Sequence, residues 1–222
     1  MMAAMREFDS DVDLAQLPHV YPRGQQLNDV PSIWLFENFA SPAETSALVA
    51  AAQDKMMPAP VSGETGGFLS AGRSGFNCWV SHHHNPLTLA LAQRISALVE
   101  IPLCNAENFQ VVHYGRGQEY QAHFDGWEPG TGRGDRCLAH GGQRLVTALL
   151  YLNAAEGGGC TRFPQLELDV QPATGRLLLF HNCAHGSSKR HANGLHAGMP
   201  VTAGEKWAAN LWFRQYKYNW QA

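Results

Sequence analysis

The distribution of hydrophobic positions gives the first part of the chain a helical character. Residues 41–44, Ser-Pro-Ala-Glu, form a capping box with proline at the first helical position, which predicts a helix to about residue 55. Asn85 and Pro86 begin a second predicted helix. Its apolar positions form one stripe, made of Leu87, Leu91, Ile95 and Leu98. We expect both helices to brace the outside of a sheet.

From about residue 105 the pattern changes to short apolar segments that are separated by glycine-rich turns. Because no helical pattern lies between them, a jelly roll is favoured over a parallel sheet. The predicted fold is mainly β with flanking α: a double-stranded β-helix (jelly roll) braced by N-terminal helices. The predicted strands are 108–114, 118–125, 144–152, 161–163, 166–171, 176–181, 195–201 and 205–215.

The remaining segments complete a prediction of one domain over residues 1–222, with its jelly-roll core at about 105–215. Residues 1–30 show no sustained period and are predicted to be a loosely attached lead-in, followed by a short strand within 32–39. Residues 58–75 are predicted to be a long surface loop. Residues 126–142, the longest gap between predicted strands, are a candidate lid.

Composition narrows the class of protein. The formal net charge is −3 and charged residues make up 16% of the chain, which argues against a nucleic-acid footprint or a polybasic membrane patch. The five cysteines form no Cys-x-x-Cys motif, so a reducing compartment is favoured. The first residues lack a hydrophobic signal core, and no apolar run approaches membrane-spanning length. We therefore expect a cytoplasmic protein with no membrane partner.

Two distant stretches carry candidate metal ligands. His123 and Asp125 lie two residues apart on a predicted strand, where both side chains share a face and Phe124 packs behind the sheet. His196 supplies a third candidate ligand. Two imidazoles and one carboxylate leave coordination positions open, as in non-haem Fe(II) oxygenases. No cysteine flanks these histidines, which disfavours zinc–thiolate or iron–sulfur chemistry.

The last predicted strand adds a cation to the same cavity. Lys206 follows a turn at Gly204 and shares a mixed face with Ala208, Asn210 and Trp212. The opposite face is wholly apolar and is predicted to pack in the core: Trp207, Ala209, Leu211 and Phe213. A lysine on the cavity face suits the far carboxylate of a 2-oxo dicarboxylate.

Several stretches follow one another in the order of a known family. Residues 73–75 read Arg-Ser-Gly, and residues 111–125 contain Tyr-Gly-x-Gly-x-x-Tyr-x-x-His-x-Asp. Residues 144–153 and 158–164 supply the central strands and turn, and residues 195–214 contain His-Ala-Gly and Gly-Glu-Lys-Trp. Over about residues 30–215 the chain resembles the Fe(II)/2-oxoglutarate-dependent dioxygenases of prolyl 4-hydroxylase (alpha-subunit catalytic domain) type, in their short stand-alone form.

The resemblance implies three groups of functional residues. The implied iron ligands, which with Lys206 make up the catalytic set, are His123, Asp125 and His196. Lys206 would bind the 5-carboxylate of 2-oxoglutarate with help from Tyr114 and Thr161. The residues implied to lie near a peptide substrate are Arg73, Tyr120 and Trp212.

The implied activity is 2-oxoglutarate- and O2-dependent hydroxylation of a prolyl residue in a peptide or protein, giving hydroxyproline, succinate and CO2. Fe(II) would be the metal, with ascorbate as a candidate reductant. The loops at 58–75 and 126–142 suit an extended proline-rich segment better than a small zwitterion. Two alternatives stay open: a hydroxylase of a free amino acid or other small molecule, and a catalytically silent metal-binding jelly-roll module. Lys206 argues against the silent module, which needs no cation for a dicarboxylate.

Some features depart from the family pattern or compete with it. Met199 stands where many members have cysteine, and Cys160 where an acidic residue is usual, but neither is a ligand. Two further departures concern the identity of the substrate: the insertion at 129–142 and the His-rich stretch 181–191. The tract at residues 82–84 and the histidines at 140, 181, 185 and 191 lack accompanying carboxylates and are predicted to lie at the surface. Gly-Arg-Gly-Asp at 132–135 is predicted to be ordinary loop sequence.

Overall fold

A computed structural model describes residues 11–218, and two facing β-sheets form its centre. The helices are α1 (Pro42–Ala52), α2 (Pro86–Val99) and α3 (Gly132–Leu138). The strands are β1 (Gln25–Asn28), β2 (Ile33–Phe36), β3 (Met57–Pro58), β4 (Val61–Ser62), β5 (Gly67–Phe68), β6 (Phe76–Val80), β7 (Phe109–Tyr114), β8 (Tyr120–His123), β9 (Arg144–Tyr151), β10 (Gly157–Gly158), β11 (Thr161–Phe163), β12 (Leu168–Val170), β13 (Leu177–His181), β14 (His196–Gly198), β15 (Val201–Ala203) and β16 (Lys206–Arg214).

The larger sheet has the strand order β1-β2-β13-β9-β16-β7-β6-β3, and the smaller has the order β12-β11-β14-β8. Strand pairs in both are antiparallel. Side chains from the inner faces, such as Leu149 and Phe180 of the larger sheet and Phe163 of the smaller, pack into one apolar layer. This arrangement is a jelly roll, which confirms the predicted fold class. None of the helices within residues 11–218 is both long and apolar enough to cross a membrane.

The outer face of the larger sheet is covered by α1 and α2. Both helices begin with a reciprocal cap, made by Ser41 with Glu44 and by Asn85 with Thr88. Their buried side chains pack on the sheet, as predicted, and include Leu48, Leu91, Ile95 and Val99. The predicted stripe on α2 is wrong at its first position, because Leu87 is 41% exposed.

The alternation along β16 sorts its residues between the two layers. Ala209, Leu211 and Phe213 are buried under the helices with Trp207 packed against them, as predicted. Lys206, Ala208, Asn210 and Trp212 line a cavity on the inner face. The period-two pattern therefore places Lys206 inside the jelly roll.

The segment that precedes β2 is not a loosely attached lead-in over the residues that are described. Tyr21 is only 1% exposed, and its hydroxyl hydrogen-bonds to His181 at 2.7 Å. The His19 carbonyl accepts from the Ser32 hydroxyl at 2.5 Å and from the Trp34 indole at 3.1 Å. The prediction of a loose segment is therefore wrong for residues 11–28, and residues 1–10 lie outside the described part. The prediction that His181 lies at the surface is also wrong.

Several boundaries also differ from prediction. Strand β6 was not predicted but joins the larger sheet, and the loop at 58–75 contains the hairpin β4–β5. The predicted strand 195–201 is divided into β14 and β15. Residues 132–135 form the start of α3. His82 is buried, with its ring nitrogen 2.6 Å from the Glu107 carbonyl, so the tract at 82–84 is not wholly exposed.

Candidate metal centre and co-substrate pocket

The three candidate ligands meet where β8 and β14 lie side by side. His196 is directly opposite His123 in the antiparallel register, and their ring centroids are 4.4 Å apart. Asp125 lies just beyond the end of β8, and its carboxylate is 3.8 Å from His123 Nε2 and 3.6 Å from His196 Nε2. One ligand atom from each lies within 4.8 Å of the others. Phe124 lines the cavity instead of packing behind the sheet, because the strand ends before it.

Both histidines present the same nitrogen to this cluster. His123 Nδ1 lies 2.8 Å from the Gln121 carbonyl, and His196 Nδ1 lies 3.0 Å from the Gly194 carbonyl. A carbonyl only accepts, so each Nδ1 carries the proton and leaves the Nε2 lone pair directed at the cluster. Burial and the adjacent His196 lower the pKa of His123 to about 3. The neutral imidazole, which is the ligand form, is therefore favoured.

The carboxylate of Asp125 is held by one of its two oxygens. Oδ2 accepts from the Thr147 hydroxyl at 2.8 Å and from the Trp212 indole at 2.9 Å. The Asn182 amide donates in turn to the Thr147 oxygen at 2.9 Å. Within residues 11–218 no hydrogen bond is made to Oδ1, which is left for a metal ion. Trp212 is thus committed to Asp125, although its ring also lines the cavity.

The same contacts set the charge of Asp125. Burial acts to raise the pKa of its carboxyl, but the neighbouring His196, His123 and Arg144 and the Trp212 hydrogen bond lower that pKa to about 2. The group is therefore ionised at neutral pH, which supplies the one anionic ligand that the cluster contains.

A buried ion network lies behind Asp125. Glu107 accepts two hydrogen bonds from Arg144, at 2.6 and 2.8 Å, and one from Arg214 at 2.7 Å. The Arg144 guanidinium lies 3.6 Å from the centroid of the Trp212 ring and 4.6 Å from that of Trp127. Charge-assisted bonds and cation–π contacts together fix the Trp212 ring that holds Asp125.

Lys206 lies in the same cavity without an anionic partner. It is 3% exposed, and no carboxylate among the described residues forms an ion pair with it. The centroids of the Tyr151 and Tyr114 rings lie 5.4 and 5.9 Å from Nζ. Burial lowers the pKa of Lys206 to about 8. A buried ammonium of this kind is suited to the far carboxylate of a dicarboxylate, which would replace the missing counter-charge.

Tyr114 and Thr161 line the cavity beside Lys206, as the resemblance implies. The Tyr151 hydroxyl, which sequence reasoning missed, donates to the Thr161 oxygen at 2.7 Å. Because that bond uses Thr161 as the acceptor, its own hydroxyl proton is available to a ligand in the cavity. In the sequence, Thr147 and Tyr151 stand out only as the two hydroxyl-bearing residues of the otherwise largely apolar strand β9.

Arg73 and Tyr120 line the same cavity as the metal cluster. The Arg73 guanidinium donates to the Pro60 carbonyl and to the Gln110 side chain, each at 3.0 Å. It also lies 4.5 Å from the centroid of the Tyr120 ring, which stacks on His123 with a centroid distance of 3.6 Å. The structure thus places both residues within the pocket, and Tyr120 restricts the His123 ring directly.

Two segments border the mouth of the cavity, and we call them the roof: the hairpin β4–β5 and the helix α3. Pro60, Val61, Ser62 and Gly67 of the hairpin region and Arg133 of α3 line the opening. The Arg136 guanidinium donates to the Gly63 carbonyl at 2.7 Å and joins the two segments. The predicted lid at 126–142 therefore contains a helix that contacts the predicted loop at 58–75.

Comparison with known proteins identifies similar chains. Residues 109–214 match the model of the 2OG-Fe(II) oxygenase superfamily. The chain is 36% identical over 186 residues to the "Putative prolyl 4-hydroxylase" of Acanthamoeba polyphaga mimivirus, covering 84% of this chain and 75% of that protein. It is 28% identical over 211 residues to prolyl 4-hydroxylase 2 of Arabidopsis thaliana, covering 85% and 69%. Among solved structures, the viral collagen prolyl hydroxylase of Paramecium Bursaria Chlorella virus-1 in its 2OG complex has a TM-score of 0.64 at 28% identity, covering 82% of this chain and 95% of that one.

Proposed function

Because this chain belongs to the prolyl 4-hydroxylase family of 2OG-Fe(II) oxygenases, we propose that it hydroxylates a prolyl residue in a peptide or protein. The reaction consumes O2 and 2-oxoglutarate and yields hydroxyproline, succinate and CO2. One observation carries the proposal: His123, Asp125 and His196 share a buried cavity with a lysine that has no anionic partner among residues 11–218.

The residues present fit both iron and 2-oxoglutarate. Two imidazoles and one ionised carboxylate are a facial donor set that leaves positions for a chelating co-substrate. No cysteine belongs to this donor cluster. Across the cavity Lys206 offers an ammonium, and Thr161 offers a hydroxyl proton, to a dicarboxylate. We therefore assign His123, Asp125 and His196 as iron ligands and Lys206 as the residue that binds the 5-carboxylate.

When bound, iron and 2-oxoglutarate supply the oxidising power, and the protein supplies orientation and a dry site. Thr147 and Trp212 fix Asp125 through Oδ2, so that Oδ1 is presented to the metal. Tyr120 covers one side of His123 by stacking. Lys206 would fix the distal end of 2-oxoglutarate, which sets the direction from which its other end approaches the ion.

The shape of the mouth supports a peptide as the substrate. Its border consists of two chain segments, and Phe68 at the end of the hairpin and Leu69 directly after it have exposed fractions of 55% and 67%. Phe68 and Leu69 are not among the residues that line the cavity, but they follow Gly67, which does, and such exposed apolar side chains are suited to contact with an extended peptide. A free amino acid would instead need a closed pocket with an amine acceptor, and Asp125 is the only carboxylate that lines this one within the described residues.

Two further properties belong to the proposal. We propose ascorbate as the reductant that keeps the iron in its active state. We also propose a cytoplasmic location, which the five cysteines support, because all five are free thiols.

The proposal is tested by incubating the iron-loaded protein with 2-oxoglutarate, O2 and either proline-containing peptides or free amino acids at equal concentration. We expect mass spectrometry to detect the gain of one oxygen atom on the prolyl residue, together with release of succinate. Rapid hydroxylation of a free amino acid with none on any peptide would favour the small-molecule alternative. Absence of any product with intact iron binding would favour the silent module.

A further inference from the structure

One cation at the mouth of the cavity has no function in the proposed chemistry. Arg133, in the first turn of α3, lines the opening, and its Nε is buried without a hydrogen-bond partner. Within residues 11–218 no carboxylate forms an ion pair with it.

The other cations that line the cavity already have partners or roles. Arg73 donates to the Gln110 side chain and the Pro60 carbonyl, and Arg144 forms a bidentate pair with Glu107. Lys206 is the residue for the co-substrate. Among the described residues, the one acidic residue in the lining is Asp125, which belongs to the metal cluster. Arg133 is therefore the cation at the opening that stays available to a substrate.

The helix that carries Arg133 is fixed at both ends. Arg136 binds the Gly63 carbonyl of the hairpin at 2.7 Å, and the buried Arg214 donates to the Cys137 carbonyl at 3.0 Å. At the start of α3, the Gly134 backbone lies so close to the Glu128 carbonyl that a Cβ there would be 1.8 Å from its oxygen. These contacts hold Arg133 over the opening, so a ligand need not order the helix first.

We propose that Arg133 binds a carboxylate of the substrate close to the target proline, so that the enzyme selects prolyl residues in an acidic context. The Arg133 guanidinium has its Nε buried without a partner, and the planar fork of a guanidinium is suited to a carboxylate in a bidentate pair. The inference rests on the proposed function, since it assigns a substrate class to the same site. The carboxylate belongs to an acidic side chain or to the C-terminus of the peptide, and both present the same chemistry to Arg133.

The test uses the iron-loaded full chain and peptides that differ at one residue beside a single proline: glutamate, glutamine or lysine, placed on either side. We expect kcat/KM for hydroxylation to favour glutamate over glutamine by about tenfold, the factor of one charge-assisted hydrogen bond. Arg133→Gln should remove this preference, and Arg133→Glu should reverse it in favour of lysine. A peptide that ends in proline, as free acid and as amide, distinguishes the terminal carboxylate from a side chain.

Two controls separate recognition from folding and from chemistry. Arg23→Gln removes the same charge from an exposed position that does not line the cavity and should leave the preference intact. Decarboxylation of 2-oxoglutarate without peptide should be equal in the wild type and in Arg23→Gln. Equal kcat/KM for the glutamate and glutamine peptides, or a glutamate preference that survives Arg133→Gln, would overturn the inference.

Direct peptide binding by calorimetry keeps the inference apart from the proposed function. If no peptide is hydroxylated, yet the glutamate peptide binds more tightly than the glutamine peptide and loses that advantage in Arg133→Gln, the carboxylate site stands and prolyl hydroxylation fails. If peptides are hydroxylated with no charge preference, the proposed function stands and the inference about Arg133 fails.

Discussion

The cavity has two sides that are built in different ways. Its floor consists of strand-borne residues on the inner faces of the sheets, and Asp125 there is 6% exposed and held by two hydrogen bonds to one oxygen. Its roof consists of the hairpin β4–β5 and α3, where Phe68 is 55% exposed and an arginine–carbonyl bond joins the two segments. The floor fixes metal geometry through several mutually supporting contacts, whereas the roof meets the floor through arginine–carbonyl bonds, such as Arg73 to Pro60 and Arg214 to Cys137.

This difference predicts that the two sides of the cavity affect separate functions. Substitutions in the floor should alter iron or 2-oxoglutarate binding, and substitutions in the roof should alter peptide turnover alone. A roof substitution that altered iron or 2-oxoglutarate binding would show that the two sides are coupled.

The largest effect is expected for Asp125→Ala in the floor. The change removes the one anionic ligand of the cluster, so turnover should be abolished and Fe(II) affinity should fall. Activity assays and metal titration of the metal-free protein measure both. Asp135→Ala, which removes an acid from α3 in the roof, is the matched control and should retain iron. Full iron content and full activity in Asp125→Ala would refute the assignment.

The next effect is expected for Lys206→Met, which keeps the buried volume but removes the ammonium. Loss of the charge leaves the far carboxylate of 2-oxoglutarate unpaired in a buried site, at a cost of about 2–5 kcal/mol. The KM for 2-oxoglutarate should rise steeply while Fe(II) affinity hardly changes. Lys189→Met, at an exposed position, should leave the KM unchanged. An unchanged KM in Lys206→Met would exclude this role.

Thr147→Val should have an intermediate effect on the metal. Valine has nearly the same shape but cannot donate to Asp125 Oδ2, and loss of such an outer partner typically costs about 10–100-fold in metal affinity. Titration of the metal-free protein with Co(II), followed by its visible spectrum, measures this without turnover. Thr147→Ser restores the hydroxyl and should restore affinity. A Thr147→Val protein with wild-type affinity would show that Trp212 alone positions the carboxylate.

The floor was more accessible to sequence reasoning than its supports were. Period-two alternation placed Lys206 on the cavity face of β16, and the His-x-Asp spacing brought His123 and Asp125 to one edge. Thr147 and Asn182 were missed, because a buried hydroxyl or amide gains its partner only when distant strands come together.

The roof was less predictable for a different physical reason. Glycine-rich sequence at 126–142 indicates a turn or loop, and the short helix α3 depends on long-range bonds from Arg136 and Arg214. The lead-in shows the same limit, since Tyr21 is buried by its contact with His181, which lies far away in sequence. Local pattern therefore predicts strands and their faces, and it does not predict docking between separate segments.

The pH dependence of 2-oxoglutarate binding gives a smaller, graded test of the floor. The pKa of Lys206 is about 8, below its ordinary value of 10.5, because burial disfavours the ammonium. Affinity for 2-oxoglutarate should be constant below that pKa and should fall by about tenfold per pH unit above it. Calorimetry in buffers of different ionisation enthalpy should detect proton uptake on binding near pH 8. The Lys206→Met protein should show neither effect.

The stability of the ligand-free protein should change with pH in the opposite direction to 2-oxoglutarate affinity, which provides a second check on Lys206. Between pH 8 and 10.5 the unfolded chain binds more protons at Lys206 than the folded one does, so the ligand-free protein should gain stability as pH rises through this window. The gain is measured as the difference in the free energy of unfolding between the wild type and Lys206→Met. A difference that falls with rising pH would contradict the depressed pKa.

The smallest effect is expected for Arg136→Ala, which separates the two segments of the roof. The lost bond to the Gly63 carbonyl is partly exposed to solvent, so we expect a loss of roughly 1 kcal/mol, or about fivefold, in kcat/KM for a proline-containing peptide. Fe(II) affinity and decarboxylation of 2-oxoglutarate without peptide should stay unchanged, because the contacts of the floor do not include Arg136. Arg23→Ala is the control for loss of one positive charge. If Arg136→Ala weakened iron binding as much as peptide turnover, the roof would support the metal site, and the separation of the two sides would be wrong.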